Sequence, residues 1–321
     1  MSQGRSFEGR GPAWLPAAGA GALSAALFAA SLWLPPFGFL GALLSPLPLA
    51  VVARRGGLRG ALTAAGGAVA VLYALTGPVG AAVYASQFAA GGCALGMMLR
   101  GRARPEVAVG SYALLSTAAF WASLAVLASR AGTGPLTYLG ETLEQAVQQA
   151  GAFVLQADAD AETTLAVQSW AEQTGRMLSL AFPGLYAVLA LLTGWVNAVV
   201  ARRVTGDDAE SSWSGWRAPE IWIWGLIGSG LLALLAGGGL GTAALNVFVA
   251  ALGVYFLQGF AVVHHLFSAR GFPRSFRALA YALLFVQLPL MLAVAGLGAF
   301  DLWFDFRARW APRPPEQGLH T

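Results

Sequence analysis

Lysine is absent from this chain of 321 residues, and all 19 of its basic residues are arginine. That excludes a Walker A phosphate loop and Schiff-base chemistry, both of which need a lysine amine. Cysteine occurs once, as Cys93, which excludes an internal disulfide and any Cys-rich zinc arrangement. Charge is scarce as well. Only 11% of residues are charged, against about 25% in a water-soluble domain, so the chain lacks the surface of one. In place of charge stand 57% hydrophobic residues and 41 glycines. The arginines cluster between apolar runs, which is a pattern of membrane topology rather than of nucleic-acid binding.

About 20 apolar residues cross a bilayer as a helix. Nine such windows occur, over residues 17–34, 37–53, 60–76, 79–99, 107–128, 177–200, 221–237, 242–267 and 278–300. The fold class expected is therefore all-α, a polytopic transmembrane helical bundle of eight or nine spans with one amphipathic helical insert outside. Arg5 and Arg10 precede the first window, but the second begins so soon after it that an uncleaved helix is expected rather than a signal peptide.

Basic residues resist translocation, so they mark the cytoplasmic loops. With the N-terminus inside, 14 of the 19 arginines fall on one side: Arg5 and Arg10, the groups at 54–59 and 100–104, Arg202, Arg203 and Arg217, and the group at 270–277. The tail, with Arg307, Arg309 and Arg313, breaks this pattern if the ninth segment crosses fully; Pro289 permits a kink or a re-entrant hairpin instead.

Residues 131–175 carry six acidic and no basic residues, a net charge of −6, as suits an outer location. Leu136, Leu139, Leu143, Ala146, Val147, Ala150 and Val154 repeat there at helical spacing. A second helix from Glu162 to about Gln173 would feed the sixth span. The resulting plan is a cytoplasmic tail at 1–16, a five-span half at 17–128, an acidic extracytoplasmic insert at 129–176, a four-segment half at 177–300 and an interfacial tail at 301–321. In that tail Asp301, Asp305 and Arg309 are spaced i, i+4 and i+8, which predicts an amphipathic surface helix.

Polar residues inside spans are costly and therefore informative. Tyr186, Thr193 and Asn197 share a face of the sixth span; Asn246 and His264 share one of the eighth, and Tyr255, Gln258 and His265 form another stripe. Their readings are helix-to-helix hydrogen bonding or ligand binding. Tyr186, Asn197, Asn246, Tyr255, Gln258, His264 and His265 are the candidate binding residues; Asn246, Gln258 and His264 are expected to face protein, with Asn197 of the sixth span as their partner. His264 and His265 are adjacent, so their rings point about 100° apart. With no third ligand at suitable spacing, no metal is expected. Ala18, Ala22, Ala26 and Ala30 repeat every four residues in the first span, a stripe that lets helix backbones approach closely, within the chain or against a membrane partner.

Gly228-Ser229-Gly230 with His264 suggests an intramembrane serine protease, but Ile227 stands where the rhomboid pattern has glycine. Gly239-Leu-Gly241-Thr-Ala-Ala244 imitates a dinucleotide fingerprint but follows no strand, and is expected to be an outer turn. No catalytic set and no cofactor site is expected.

Four segments carry a resemblance: Gly194-Trp-Val-Asn197 through Arg202-Arg203, the Pro219-centred start of the seventh span, Tyr255-Phe-Leu-Gln258-Gly259 through His264-His265, and Gly298-Ala-Phe-Asp301-Leu-Trp303-Phe-Asp305-Phe-Arg307. In these the chain resembles the YybS-like family of uncharacterised bacterial membrane proteins, a resemblance that implies membership and no activity. The small-residue first span, the short Pro-bearing second one and Pro48 through Arg54-Arg55-Gly-Gly-Leu-Arg59-Gly60 are similar to the opening of energy-coupling-factor substrate-binding subunits. That likeness implies an alanine stripe docked on a coupling protein. Two functions are therefore expected of a multi-pass protein of the bacterial cytoplasmic membrane: a solute-binding component of a transport system, or a non-catalytic scaffold or assembly factor for an envelope complex. Its partners would be the bilayer, a small-molecule solute and a membrane protein at the first helix.

Overall fold

The computed structural model describes residues 14–154, 160–206 and 215–310. Every element among them is a helix. Four are long and apolar enough to cross a membrane, or five if the bent pair Arg274–Phe285 and Leu288–Phe304 is one span. This tally is below eight or nine because three of the sequence windows fall in one helical tract, Gly38–Arg100, and because Ala17–Trp33 and Trp222–Leu235 are shorter apolar helices.

Two compact units are present, one comprising residues 1–175 and 189–209, the other 176–188 and 210–321. The first unit begins with α1 (Trp14–Trp33), α2 (Pro35–Leu44) and α3 (Leu47–Tyr84), followed by a π-helical turn at Ala85–Ala89 and α4 (Ala90–Arg100). Gly57 and Gly77 interrupt α3 with φ of 69° and 75°, a conformation that glycine adopts without steric cost. Across the first break the chain reverses: Gly96 lies against Ala50 and Arg100 against the Arg54 and Arg55 carbonyls, whereas Cys93 meets the carbonyl of Ala61. At the π-turn, Ser116 of the following helix donates to the Gln87 carbonyl at 3.1 Å.

Helix α5 (Pro105–Arg130) starts with proline at its first turn, where a missing N–H costs nothing. It buries Tyr112 between two glycines: a Cβ on Gly91 or on Gly194 would strike that ring at 2.7 and 2.8 Å. Helix α6 (Pro135–Val154) lies in the acidic insert. Helix α7 (Ala161–Val204) is capped by Asp160, whose Oδ1 accepts the Thr163 N–H at 2.7 Å. The expected short helix at 162–173 is thus continuous with the following span.

The second unit contains the middle of α7 and α8 (Trp222–Leu235), α9 (Gly238–Ala269), α10 (Arg274–Val286), α11 (Leu288–Phe304) and α12 (Phe306–Trp310). Residues 239–244 are the first turns of α9, not a loop; the turn is at Ala236–Gly237, with Gly238 at φ 61°. The ninth apolar window is broken at Gln287 into α10 and α11, bent by 101°, and Pro289 sits in the first turn of α11. Two glycines bring α9 and α11 into backbone contact. A Cβ on Gly259 would run into the Val294 carbonyl, and one on Gly298 into the Tyr255 carbonyl, the close approach that small residues allow in lipid.

The tail differs from the amphipathic helix expected at 301–309. Asp305 adopts a left-handed conformation (φ 41°) and ends α11, so Asp301, Asp305 and Arg309 do not share one helix. The chain then turns back, and Arg307 reaches a fully buried Asp301.

Candidate functional site

Of the candidate binding residues, those of α9 are spread too far for a single site. Asn246 and His264 stand eighteen residues apart, which is about 27 Å at 1.5 Å per residue. At one end, Asn246 repairs a defect in α7. Pro183 lies inside that helix and disturbs its hydrogen-bond ladder. The Asn246 Oδ1 accepts the Gly184 N–H at 2.7 Å, while its Nδ2 donates to the Leu180 carbonyl at 2.8 Å and to that of Thr242 at 2.8 Å. Leu180 and Gly184 are the pair an unbroken helix would join to each other, so the side-chain amide serves both. Gly184 is required for this approach, since a Cβ there would lie 2.6 Å from the Asn246 carbonyl oxygen. The partner expected on the sixth span is Asn197; the groups Asn246 bonds to are backbone, on either side of Pro183 and in its own helix.

Asn197 works in the first unit. Its Nδ2 donates to the Leu43 and Thr193 carbonyls, both at 2.7 Å, while its buried Oδ1 has no partner among the described residues. Tyr186 is half-buried, with its ring 6.2 Å from that of Phe182. Asn197 belongs to the first unit and Gln258, one of the residues it is expected to partner, to the second. Gln258 instead accepts the Ala218 N–H at 2.9 Å through Oε1, an N–H left outside the helical ladder just before Pro219.

Tyr255 and Gln258 are the candidates that the fold does bring together. They lie at i and i+3 on α9, 1% and 0% exposed, and Tyr255 packs with Ala218, Ile223 and Leu226. The Tyr255 hydroxyl and the Gln258 Nε2 are buried without a partner among the described residues. A buried donor left unmade is costly, and two of them on one helix face are what a polar guest or an ordered water would satisfy. Further along α9, His264 Nδ1 lies 2.8 Å from the Tyr281 hydroxyl, whereas the buried His265 Nε2 has no partner among the described residues.

On α1 the packed and open faces are adjacent. Ala17, Gly21, Ser24, Ala25 and Phe28 are buried, while Ala18, Ala22 and Ala26 are exposed and Ala30 is half-buried. Deeper in this unit Ser24 Oγ donates to the Ser45 carbonyl at 2.6 Å and lies 2.5 Å from the Tyr84 hydroxyl. No group of metal-ligating side chains occurs among the described residues.

One buried pair escaped the sequence reading. Asp301 accepts the Arg307 guanidinium at 2.9 Å and the Phe306 N–H at 3.0 Å, and the Arg217 Nε lies 4.0 Å from it. Arg217 also pairs with Asp305. The available signal was an aspartate directly after an apolar span with arginine six residues on; the helical spacing to Asp305 obscured it.

These features define an all-helical, multi-pass membrane protein whose intramembrane polar groups largely tie helices together. The chain belongs to the family described as predicted membrane protein (DUF2232), whose profile matches residues 22–302, and the YybS-like resemblance is consistent with that membership. Comparison with curated proteins and with solved structures returned no match.

Proposed function

We propose that this protein is a non-catalytic scaffold of the bacterial cytoplasmic membrane, docking another membrane protein through its first helix. The observation that carries this reading is the division of α1: one small-residue face is used inside the fold, and the Ala18, Ala22 and Ala26 face is left open. In lipid, a second small-residue face favours a second helix neighbour. The intramembrane amides agree with a structural role, since Asn246, Asn197 and Gln258 each engage backbone groups distant in sequence.

We further propose that the chain crosses the membrane eight or nine times with its N-terminus in the cytoplasm. The tract Gly38–Arg100 has 63 residues, which as one straight helix would be about 95 Å long, three times the hydrocarbon thickness. The breaks at Gly57 and Gly77 divide it into segments of crossing length, and arginines concentrate at alternate ends. A second reading, a solute-binding transport component, is favoured by the Tyr255 hydroxyl and Gln258 Nε2, which have no partner among the described residues.

Photo-crosslinking in native membranes tests the docking. A crosslinker at position 22 or 26 is expected to capture one defined membrane protein, and Ala26→Leu to abolish the product from position 22. Lipid adducts alone at both positions would overturn the reading.

A further inference from the structure

The ninth apolar window consists of two helices with different surroundings. α11 follows α9 in an antiparallel register: a Cβ on Gly259 would meet Val294, and one on Gly298 would meet Tyr255, so residue numbers rise on one helix as they fall on the other. It thereby shares the direction of a helix long and apolar enough to cross a membrane. α10 is bent from α11 by 101°. If α11 follows the membrane normal with α9, α10 runs close to the membrane plane. The level is suitable as well. The 32 residues of α9 make about 48 Å against about 30 Å of hydrocarbon, so its last turns, with His264, His265 and then Arg270, have room in the head-group layer.

The two sides of α10 differ. At 3.6 residues per turn Phe276, Leu279 and Leu283 fall within an arc of about 60°, and they are 45%, 62% and 45% exposed. On the far side Tyr281 packs on Phe260, with 4.8 Å between ring centroids, and Phe285 on Phe256 at 5.5 Å, which fastens α10 to the end of α9. Phe272 stacks on Phe276 at 4.9 Å and carries the apolar edge into the turn. Three arginines stand at the start of the helix, and no acidic residue occurs between Glu220 and Asp301. Arg270 and Arg274 are exposed and form no ion pair among the described residues; Arg277 donates from Nη1 to a neutral group, the Ser268 Oγ, at 3.3 Å. An open apolar stripe with basic residues off its edge is the pattern of a helix lying at the acyl and head-group boundary, where arginine extends its charge to the phosphates.

We infer that α10 is an interfacial helix that rests on anionic phospholipid, with Phe276, Leu279 and Leu283 among the upper acyl carbons and Arg270 and Arg274 on the head groups. Of the ninth window, only α11 then follows α9 into the bilayer. The inference does not involve α1, so it and the docking proposal fail independently.

Spin labels on the full chain in nanodiscs of mixed phosphatidylglycerol and phosphatidylcholine test the placement. Phe276→Cys, Leu279→Cys and Leu283→Cys, each with Cys93→Ala, alter exposed side chains. All three labels should be open to oxygen and lie at one shallow depth, within about 3 Å, as measured against a water-soluble nickel reagent. A spanning helix would instead separate positions 276 and 283 by about 10 Å, which would overturn the inference. So would poor access to both reagents, the sign of a second copy or another segment of the chain covering the stripe. For the head groups, photoreactive phosphatidylglycerol should mark residues 270–286 in preference to its phosphatidylcholine counterpart. Arg270→Gln/Arg274→Gln should lower that preference at least about fivefold, the factor that one arginine near an anionic surface is worth. Equal marking by the two lipids in wild type, or an unchanged preference in the double variant, would also overturn it.

Discussion

The two units bind their helices together with different chemistry. In the first, hydroxyls and backbone predominate beside the single buried amide of Asn197: Ser24, Ser45 and Tyr84 close on one another, Ser116 donates to the Gln87 carbonyl, and glycines admit the Tyr112 ring. In the second, the ties are amides and charge: Asn246 beside Pro183 of α7, Gln258 on Ala218, and Asp301 with Arg307. Neutral hydroxyl pairs are cheap to bury and mild to lose, whereas a buried ion pair is costly to desolvate and severe to break. The second unit also keeps more polar atoms in reserve, in Tyr255, Gln258 and His265, against Asn197 alone among the described residues of the first. It is therefore both the more vulnerable unit and the better equipped to accept a polar guest.

The sharpest way to break this contrast is Asp301→Ala, which removes the buried carboxylate that Arg307 pairs with and should cost about 3–5 kcal/mol, measured as loss of folded protein in detergent denaturation. Asp301→Leu/Arg307→Met should recover most of that loss; if it does not, the pair is not the source of the fragility. Next comes the glycine crossing. Gly259→Val in the second unit and Gly96→Val in the first, where a Cβ would meet the Ala50 carbonyl, should each cost about 1–3 kcal/mol or more by forcing backbones apart. Equal losses would show that close packing, unlike polar chemistry, is common to both units. Gln258→Leu and Asn246→Leu leave backbone groups unpaired and should each cost about 1–3 kcal/mol despite raising hydrophobicity. Ser24→Ala, with Tyr84 and Ser45 free to pair otherwise, should cost about 1 kcal/mol. If Ser24→Ala proved as damaging as Asp301→Ala, the contrast would be wrong.

How much of this was legible in the sequence follows from what each residue pairs with. That Asn246 and Gln258 face protein could be read from their cost in lipid. Their partners could not, because these are the backbone groups of Gly184, Leu180 and Ala218, freed only where a proline disturbs the chain. Pro183-Gly184 and Ala218-Pro219 were the local signs. The stripe on α1 was legible as a small-residue face, but two such faces are interleaved in the sequence, and only packing separates Ala17, Gly21 and Ala25 from Ala18, Ala22 and Ala26. Asp301 was misplaced because a helical spacing was extended through Asp305, where the backbone turns left-handed. The contact of Arg100 with the Arg54 and Arg55 carbonyls was visible only as arginine clusters at 54–59 and 100–104, because it depends on the breaks at Gly57 and Gly77.

The smallest expected effect lies outside the membrane, at the cap of α7. The Thr163 hydroxyl and N–H bonds hold the Asp160 carboxyl below its ordinary value. A carboxylate with a lowered folded pKa contributes stability that is complete above its unfolded value, near 3.9, and lost as pH falls through the lower folded one. Amide exchange in the first turn of α7, corrected for intrinsic rates, should therefore be unchanged from neutral pH down to about 5 and become faster below about 3.5. Asp160→Asn keeps a capping side chain but has no proton to gain, so its protection should show no such step. The second unit provides the reference, since exchange in α9 should ignore this transition. A step of equal size in Asp160→Asn would place its origin elsewhere in the acidic insert and remove Asp160 as the pH-sensitive element of the first unit.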